Sequence, residues 1–182
     1  MGNAPRVFDP QGVYHVVNRG NNKEKLFFSD DDYGRFLEYL ADVKVRFGID
    51  VFHYCLMPNH VHLMLRPNKD LSAAMHGLFM PFAKWFCKKY GHKGHVRQGP
   101  FRPTPVLSDA HLYASGNYIE MNPVRAGLVE RPEDWPYSSY RYYARGENNA
   151  LVTATPFFEN LGKNNAARRE TYRKNIASTR TA

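Results

Sequence analysis

The chain has 182 residues, of which 43% are hydrophobic and 14% aromatic, a size and composition typical of one folded domain with its own core. Its 25 Lys and Arg against 17 Asp and Glu give a formal net charge of +8, which favours an anionic partner such as a nucleic acid. Two cysteines are too few for a disulfide framework, and the sequence has neither the apolar run of a membrane-spanning helix nor the apolar core of a secretion signal. We therefore expect a soluble, cytoplasmic protein.

Strands and helices alternate in a regular order over the first 107 residues. Runs of β-branched and aromatic residues predict strands, and apolar residues three and four apart predict helices. Ser29 or Asp30 would cap the first helix, and Gly48 would end it in a left-handed conformation. In chain order the sequence predicts a strand at 12–19, a helix from 30 to 47, strands at 49–57 and 60–66, a helix from 71 to 90, and an edge strand at 101–107.

The order strand–helix–strand–strand–helix–strand is that of the split βαβ, or ferredoxin-like, arrangement. It predicts an α+β fold with an antiparallel sheet and helices on one face. A further helix should begin at Ser108 or Asp109 and end near Met121, because Pro123 disfavours helix in the residue before it. The domain would extend over residues 1–159, followed by a basic tail at 160–182 that is either unstructured or a last helix.

Two pairs of polar side chains could carry chemistry. His60 and His62 are two apart on a predicted strand, so both imidazoles point to one side while Val61 points to the core. That arrangement provides half of a metal site, although two half-exposed histidines on a solvated strand explain the pair as well. Tyr118 and Asn122 are four apart on the predicted helix and share a face. They could equally be a packing tyrosine and an asparagine at a helix end.

Together the four side chains fit phosphodiester chemistry. A cation held by the histidines and the Asn122 oxygen would be Mg²⁺ or Mn²⁺ rather than Zn²⁺, because no thiolate accompanies the pair. Such a cation neutralises the anionic oxygens of a phosphodiester, and a phenol such as Tyr118 can attack the phosphorus and form a covalent intermediate. A phosphotyrosine bond conserves the energy of the broken strand. Cleavage would therefore be reversible without ATP, for which the sequence has no Gly-rich phosphate loop.

Four blocks of sequence carry a family resemblance. The stretch MPNHVHL at 57–63 resembles the His-hydrophobe-His motif of the HUH endonuclease superfamily, and YHVVNRGN at 14–21 is similar to the first strand and turn of the IS200/IS605-like Y1 transposases. YIEMNPVRAGLV at 118–129 and WPYSSY at 135–140 resemble the signature of the REP-associated tyrosine transposases. Four blocks in the right order, within roughly residues 10–145, are far more specific than one pair of histidines.

The resemblance implies a role for each of the four side chains. His60 and His62 match metal-binding histidines, Tyr118 matches the catalytic tyrosine, and Asn122 matches the polar residue, often Gln, that completes the metal site. It implies an endonuclease and strand transferase that uses Mg²⁺ or Mn²⁺ on single-stranded DNA beside hairpins or palindromic repeats, leaving a 5′-phosphotyrosine and a free 3′-OH. It also implies a bacterial protein at the nucleoid. Relatives include dimers and monomers, so a homodimer and a monomer both stay open.

Other residues and functions are weaker hypotheses. We expect His15 to lie beside the site rather than to act as a ligand. The chief alternative function is a non-catalytic nucleic-acid-binding protein on a ferredoxin-like scaffold, and a metal hydrolase that activates water is a third. Four basic residues could bind phosphate or could be ordinary solvated charges: Arg19, Lys23, Arg97 and Arg102.

Overall fold

The order of elements agrees with the sequence prediction up to the end of the fourth strand. A computed structural model describes residues 7–178 of the chain. Its elements are β1 (Val13–Arg19), a 3₁₀ turn (Asn21–Lys23), α1 (Asp30–Phe47), β2 (Asp50–Met57), β3 (His60–Arg66), α2 (Leu71–Tyr90), β4 (Arg102–Val106), α3 (Asp109–Arg125), a second 3₁₀ turn (Pro132–Asp134), α4 (Tyr140–Arg145), α5 (Pro156–Glu159) and α6 (Asn165–Ser178).

The four strands form one antiparallel sheet in the order β2–β3–β1–β4. This is the ferredoxin-like α+β arrangement, and the predicted fold class is confirmed. β4 lies at an edge, where the missing N–H groups of Pro103 and Pro105 cost no bond to a further strand. Within residues 7–178, none of the helices is both long and apolar enough to cross a membrane.

Capping residues fix the ends of the two helices that pack on one face of the sheet. Ser29 and Asp32 form a capping box at the start of α1, and the Asp70 carboxylate accepts hydrogen bonds from two amides in the first turn of α2. Gly48 and Gly91 end these helices with φ of 66° and 61°, a conformation that glycine adopts without strain. Local sequence therefore determines where α1 and α2 begin and end.

Both faces of the sheet are packed, but against different helices. On one face, Val61 and Leu63 of β3 are completely buried in the core shared with α1 and α2. On the other face, Cys55 and Met64 pack with Ile119 of α3. Burial of each such side chain contributes about 1.5–3 kcal/mol. The added helix therefore crosses the face that α1 and α2 leave open, and it lies mainly along β2.

The predicted end of α3 near Met121 was wrong, because the helix continues through Pro123 to Arg125. Proline lacks the N–H that would bond to the carbonyl of Ile119. The side-chain amide of Asn122 compensates by donating to the carbonyls of Tyr118 at 2.8 Å and of Ile119 at 3.4 Å. Asn122 thereby lets the helix run for another turn.

The C-terminal segment is helical and packs on the domain. α6 covers Asn165–Ser178, and its Tyr172 and Ile176 are buried in the same core as Tyr143 of α4. Of the two alternatives for the tail, the structure therefore shows a last helix up to residue 178. The rest of the tail lies outside the described residues, and the division of the chain at residue 159 stays a prediction.

Candidate active site

Three of the predicted site residues, His60, His62 and Tyr118, meet on the sheet face that α3 crosses. His60 and His62 of β3 pair with Arg19 and Val17 of β1, respectively. The His60 and His62 rings are 4.8 Å apart between centroids. The Tyr118 ring lies 5.8 Å from the His62 ring and is oriented edge-on to it, at 86°. The phenol of α3 and the paired imidazoles of β3 are therefore neighbours.

Tyr118 remains accessible although it contacts the histidines. Its side chain is 43% exposed, and its ring also lies 6.3 Å from the His15 ring. A tyrosine that served only to pack α3 on the sheet would be expected to be largely buried. Tyr118 thus combines a fixed environment with access for a large substrate.

The hydrogen bonds of His60 leave one ring nitrogen with a free lone pair. The Asn59 amide donates through Nδ2 to the carbonyl of Lys23 at 3.2 Å, so its Oδ1 is the acceptor for the 2.6 Å contact with His60 Nδ1. His60 must then carry its proton on Nδ1. Nε2 is left as the nitrogen that could bind a metal.

His62 also keeps one nitrogen without a protein partner. Its Nδ1 lies 2.9 Å from Nε2 of His15, a diagonal contact between β3 and β1. Its Nε2 is buried and has no hydrogen-bond partner among the residues that the structure describes. Buried polar atoms are nearly always bonded, so this nitrogen is suited to a ligand. His15 lies beside the site and contacts His62, as expected from the sequence.

Burial keeps these histidines neutral. It lowers the pKa of His62 to about 3, with His60 and His15 adding to the effect. It lowers the pKa of His60 to about 4, to which Arg19 contributes, and that of His15 to about 4, to which His111 contributes. A neutral imidazole has the lone pair that metal binding requires.

Three polar side chains share the exposed flank of α3. Tyr118, Asn122 and Arg125 are spaced four and then three residues apart, which is one face of a helix. The Asn122 Nδ2 is bonded to the helix backbone, so its Oδ1 is the atom left for a ligand. The Arg125 guanidinium lies 5.1 Å from the centroid of the Tyr118 ring. Arg125 is not among the residues predicted from the sequence, because a helix that ends near Met121 does not include it.

The four candidate phosphate contacts do not lie together. Arg19 and Arg102 are exposed and share the face of the histidines, since Arg102 pairs with Val17 and Arg19 pairs with His60. Lys23 is exposed in the first 3₁₀ turn, near Asn59.

Arg97 lies elsewhere. Its guanidinium lies 5.0 Å from the ring of Phe79 on α2, on the opposite side of the sheet, and it lines a cavity of about 720 Å³ there. The structure therefore brings two of the four basic residues to the histidine face and separates Arg97 from it.

Carboxylates and thiolates do not complete a metal site here. Within residues 7–178, no group of three or more His, Cys, Asp or Glu side chains is arranged to hold an ion. A cation at the histidine pair would need oxygen from the Asn122 amide, from solvent or from a substrate. Such a site would be open to a phosphate group.

Comparisons with known proteins show which family the chain belongs to and which fold it shares. The family model described as "Transposase IS200 like" matches residues 10–120, which is more than half of the chain. A protein of Haemophilus influenzae assigned as a REP-associated tyrosine transposase is 26% identical over 167 residues, covering 81% of this chain and 90% of that protein. A solved structure of a REP-associated tyrosine transposase bound to a REP hairpin superposes with a TM-score of 0.65, at 21% identity, over 85% of this chain and 93% of that one. At that identity the structural likeness concerns the fold.

Proposed function

The chain belongs to the IS200-like transposase family and is by this membership a tyrosine transposase; from that premise we propose that it nicks and rejoins single-stranded DNA through a covalent bond to Tyr118. The observation that supports this most is the 5.8 Å between the rings of Tyr118 and His62. This contact joins a nucleophile that is accessible to a large substrate with a pair of neutral imidazoles.

His60, His62 and Asn122 would hold a Mg²⁺ or Mn²⁺ ion. The fit rests on the buried, unpartnered Nε2 of His62 and on the Nδ1 proton of His60, which leaves its Nε2 free. The Asn122 Oδ1 adds the kind of hard oxygen that these cations prefer. When bound, the ion would supply Lewis-acid stabilisation of the charge that develops on the phosphate oxygens.

The covalent step exchanges one phosphoester bond for another. The Tyr118 oxygen attacks phosphorus, the bond between phosphorus and the 3′ oxygen breaks, and that oxygen leaves as a 3′-hydroxyl. The proton lost by the phenol is balanced by the one gained at the 3′ oxygen. The product is a 5′-phosphotyrosine, and attack by a 3′-hydroxyl on it restores Tyr118 and joins the strand.

The substrate class follows from the family and from the charge on the histidine face. We infer that the DNA is single-stranded beside a hairpin or palindromic repeat. The related solved structure is that of a protein bound to a REP hairpin. The exposed Arg19 and Arg102 beside the histidines suit a phosphate backbone. The net charge of +8 supports the same partner.

A covalent-adduct assay tests the proposal. The protein is incubated with labelled hairpin-flanked single-stranded DNA and Mn²⁺, denatured, and examined for DNA that stays attached to protein. We expect an adduct with the wild-type chain, none with Tyr118→Phe, and none when EDTA removes the metal. Tyr113→Phe is the matched control, because Tyr113 lies on the same helix but packs on Phe157.

Each alternative function gives a different result in this assay. A nucleic-acid-binding protein without catalysis would retain the DNA reversibly and form no adduct. A metal hydrolase would cut the DNA without an adduct, and Tyr118→Phe would still cut. An adduct that persists in Tyr118→Phe would contradict the assignment of the nucleophile.

A further inference from the structure

A buried carboxylate lies two residues after the proposed nucleophile. Glu120 of α3 is completely buried. Its Oε1 is 2.9 Å from Nδ1 of His53 and accepts a hydrogen bond from the Ser139 hydroxyl at 2.6 Å. Its Oε2 accepts a hydrogen bond from the Tyr172 hydroxyl at 2.7 Å. Both oxygens are thus bound by groups from three other parts of the chain: β2, the segment before α4, and α6.

Burying a carboxylate is unfavourable unless such partners surround it. A well-packed apolar side chain could hold α3 against the domain at lower cost. What the carboxylate adds is direction, because each hydrogen bond tolerates only a narrow range of distance and angle. Glu120 therefore restrains the orientation of α3 more than an apolar contact would.

On the same flank, the absence of a side chain at Gly116 allows α3 to approach β2 closely. Gly116 lies one turn before Glu120, and a Cβ placed there would come within 2.7 Å of Nε2 of His53. The His53 ring is itself stacked on Tyr143 at 4.6 Å between centroids, so it has little room to move. Gly116 and Glu120 together hold one flank of the helix against His53.

We propose that Glu120 is a positioning residue that fixes the roll of α3 about its axis and thereby the place of the Tyr118 oxygen. Residues two apart on a helix point about 200° away from each other, so Glu120 holds one flank while Tyr118 faces the histidines from the other. A phenol oxygen lies about 8 Å from the helix axis, and a roll of about 10° moves it by more than about 1 Å. Misplacement of this size can slow a reaction about 100-fold.

This inference rests on the proposed function and extends the site beyond the family match. The match ends at residue 120, whereas Ser139 and Tyr172 lie after it. α6 would therefore contribute to the reaction through the bond from Tyr172 to Glu120.

Removal of one hydroxyl tests the role of Glu120 with little disturbance of packing. Tyr172→Phe deletes the bond to Oε2. The matched control is Tyr54→Phe, which deletes a hydroxyl bonded to Asn149 in the same core, at 2.9 Å. We would measure the single-turnover rate of adduct formation at saturating DNA, the Kd for DNA, the melting temperature, and amide hydrogen exchange within α3.

We expect both variants to lose similar thermal stability and to bind DNA as the wild type does. Only Tyr172→Phe should form the adduct about 10-fold more slowly or worse, with faster hydrogen exchange in α3. Equal adduct rates for the two variants would overturn the inference. If the wild-type chain forms no adduct, the proposed function itself fails. In that case hydrogen exchange still tests the restraint. If amide exchange within α3 is the same in Tyr172→Phe as in the wild type, Glu120 does not restrain the helix.

Two changes at Glu120 provide a rescue test. Glu120→Gln keeps an oxygen acceptor and the shape of the side chain, whereas Glu120→Leu removes both acceptors. We expect Glu120→Gln to retain most of the adduct rate and Glu120→Leu to lose at least 10-fold when compared per folded molecule. A folded Glu120→Leu protein with the wild-type rate would refute the positioning role. Loss of rate in Glu120→Gln equal to that in Glu120→Leu would also do so.

Discussion

The two faces of the sheet differ in how their side chains are satisfied. On the face that packs on α1 and α2, Val61 and Leu63 are completely buried among apolar neighbours. On the face that α3 crosses, the next residue along the same strand, His62, is buried with an unpartnered nitrogen. Because side chains alternate along a strand, β3 contributes to stability with one set of residues and to the site with the other.

The two faces differ in what their buried side chains contribute to the free energy of folding. Apolar burial is favourable without any ligand. A buried imidazole nitrogen without a hydrogen-bond partner, such as Nε2 of His62, is unfavourable. Burial also lowers the pKa of His62 to about 3, so the ring is neutral. Polar groups left in this state are typical of places where a ligand binds. The α3 face therefore keeps a buried polar atom unbonded among the described residues, which the apolar core under α1 and α2 does not require.

The largest effect should follow from His62→Leu. This change removes the unpartnered nitrogen and fills its space with an apolar side chain. We expect adduct formation to fall on the order of 1,000-fold, because a catalytic metal supplies several kcal/mol of transition-state stabilisation. We expect the free energy of unfolding to change by less than about 1 kcal/mol, since the partly exposed His15 can bond to water instead. The adduct assay and urea unfolding measure the two effects, and a rate near that of the wild type would argue against a metal at this position.

The opposite result is expected one residue further along the strand. Leu63→Ala should lower the free energy of unfolding by about 2–5 kcal/mol, because it leaves a cavity in the core under α1 and α2. At temperatures where the variant is folded, we expect the adduct rate to stay within about 2-fold of the wild type. A large loss of rate in folded Leu63→Ala would show that the two faces are coupled and would weaken the comparison.

The sheet face that packs on α1 and α2 was more predictable from the sequence than the face that α3 crosses. The spacing of apolar residues predicts the two helices, and their ends lie at Ser29, Gly48 and Gly91. The alternation of side chains along β3 predicts that the two histidines lie together. What the sequence did not predict depends on contacts between distant segments, such as the bond from Tyr172 to Glu120. No local pattern marks such a pair.

One local signal predicts the wrong end for α3. Pro123 predicts a helix end, but the adjacent Asn122 supplies the missing donor to the backbone. With the helix extended to Arg125, a third polar residue appears on the face of Tyr118. A proline preceded by a side chain that can bond to the helix backbone does not have to end a helix.

A moderate effect is expected from Arg125→Gln. The guanidinium lies over the Tyr118 ring, where it could contact the phosphate or stabilise a developing phenolate. We expect the adduct rate to fall about 10-fold, equivalent to about 1.4 kcal/mol. Arg46→Gln is the control, because Arg46 also lies over an aromatic ring, that of Phe47 at 4.9 Å, but on α1. If both variants react at the wild-type rate, Arg125 has no part in the reaction.

The smallest expected effect is on DNA binding, and it should differ between basic residues on the two faces of the sheet. Arg102→Ala removes an exposed cation beside the histidines, whereas Arg97→Ala removes one that lies over Phe79 on the other side of the sheet. Loss of a single phosphate contact should weaken DNA binding a few-fold and reduce the slope of log K against log salt by about 0.7 for single-stranded DNA. We expect this change for Arg102→Ala and an unchanged slope for Arg97→Ala. Titrations of labelled DNA at several salt concentrations measure both slopes, and equal reductions in the two variants would mean that the DNA reaches around the end of β1 to the α2 side.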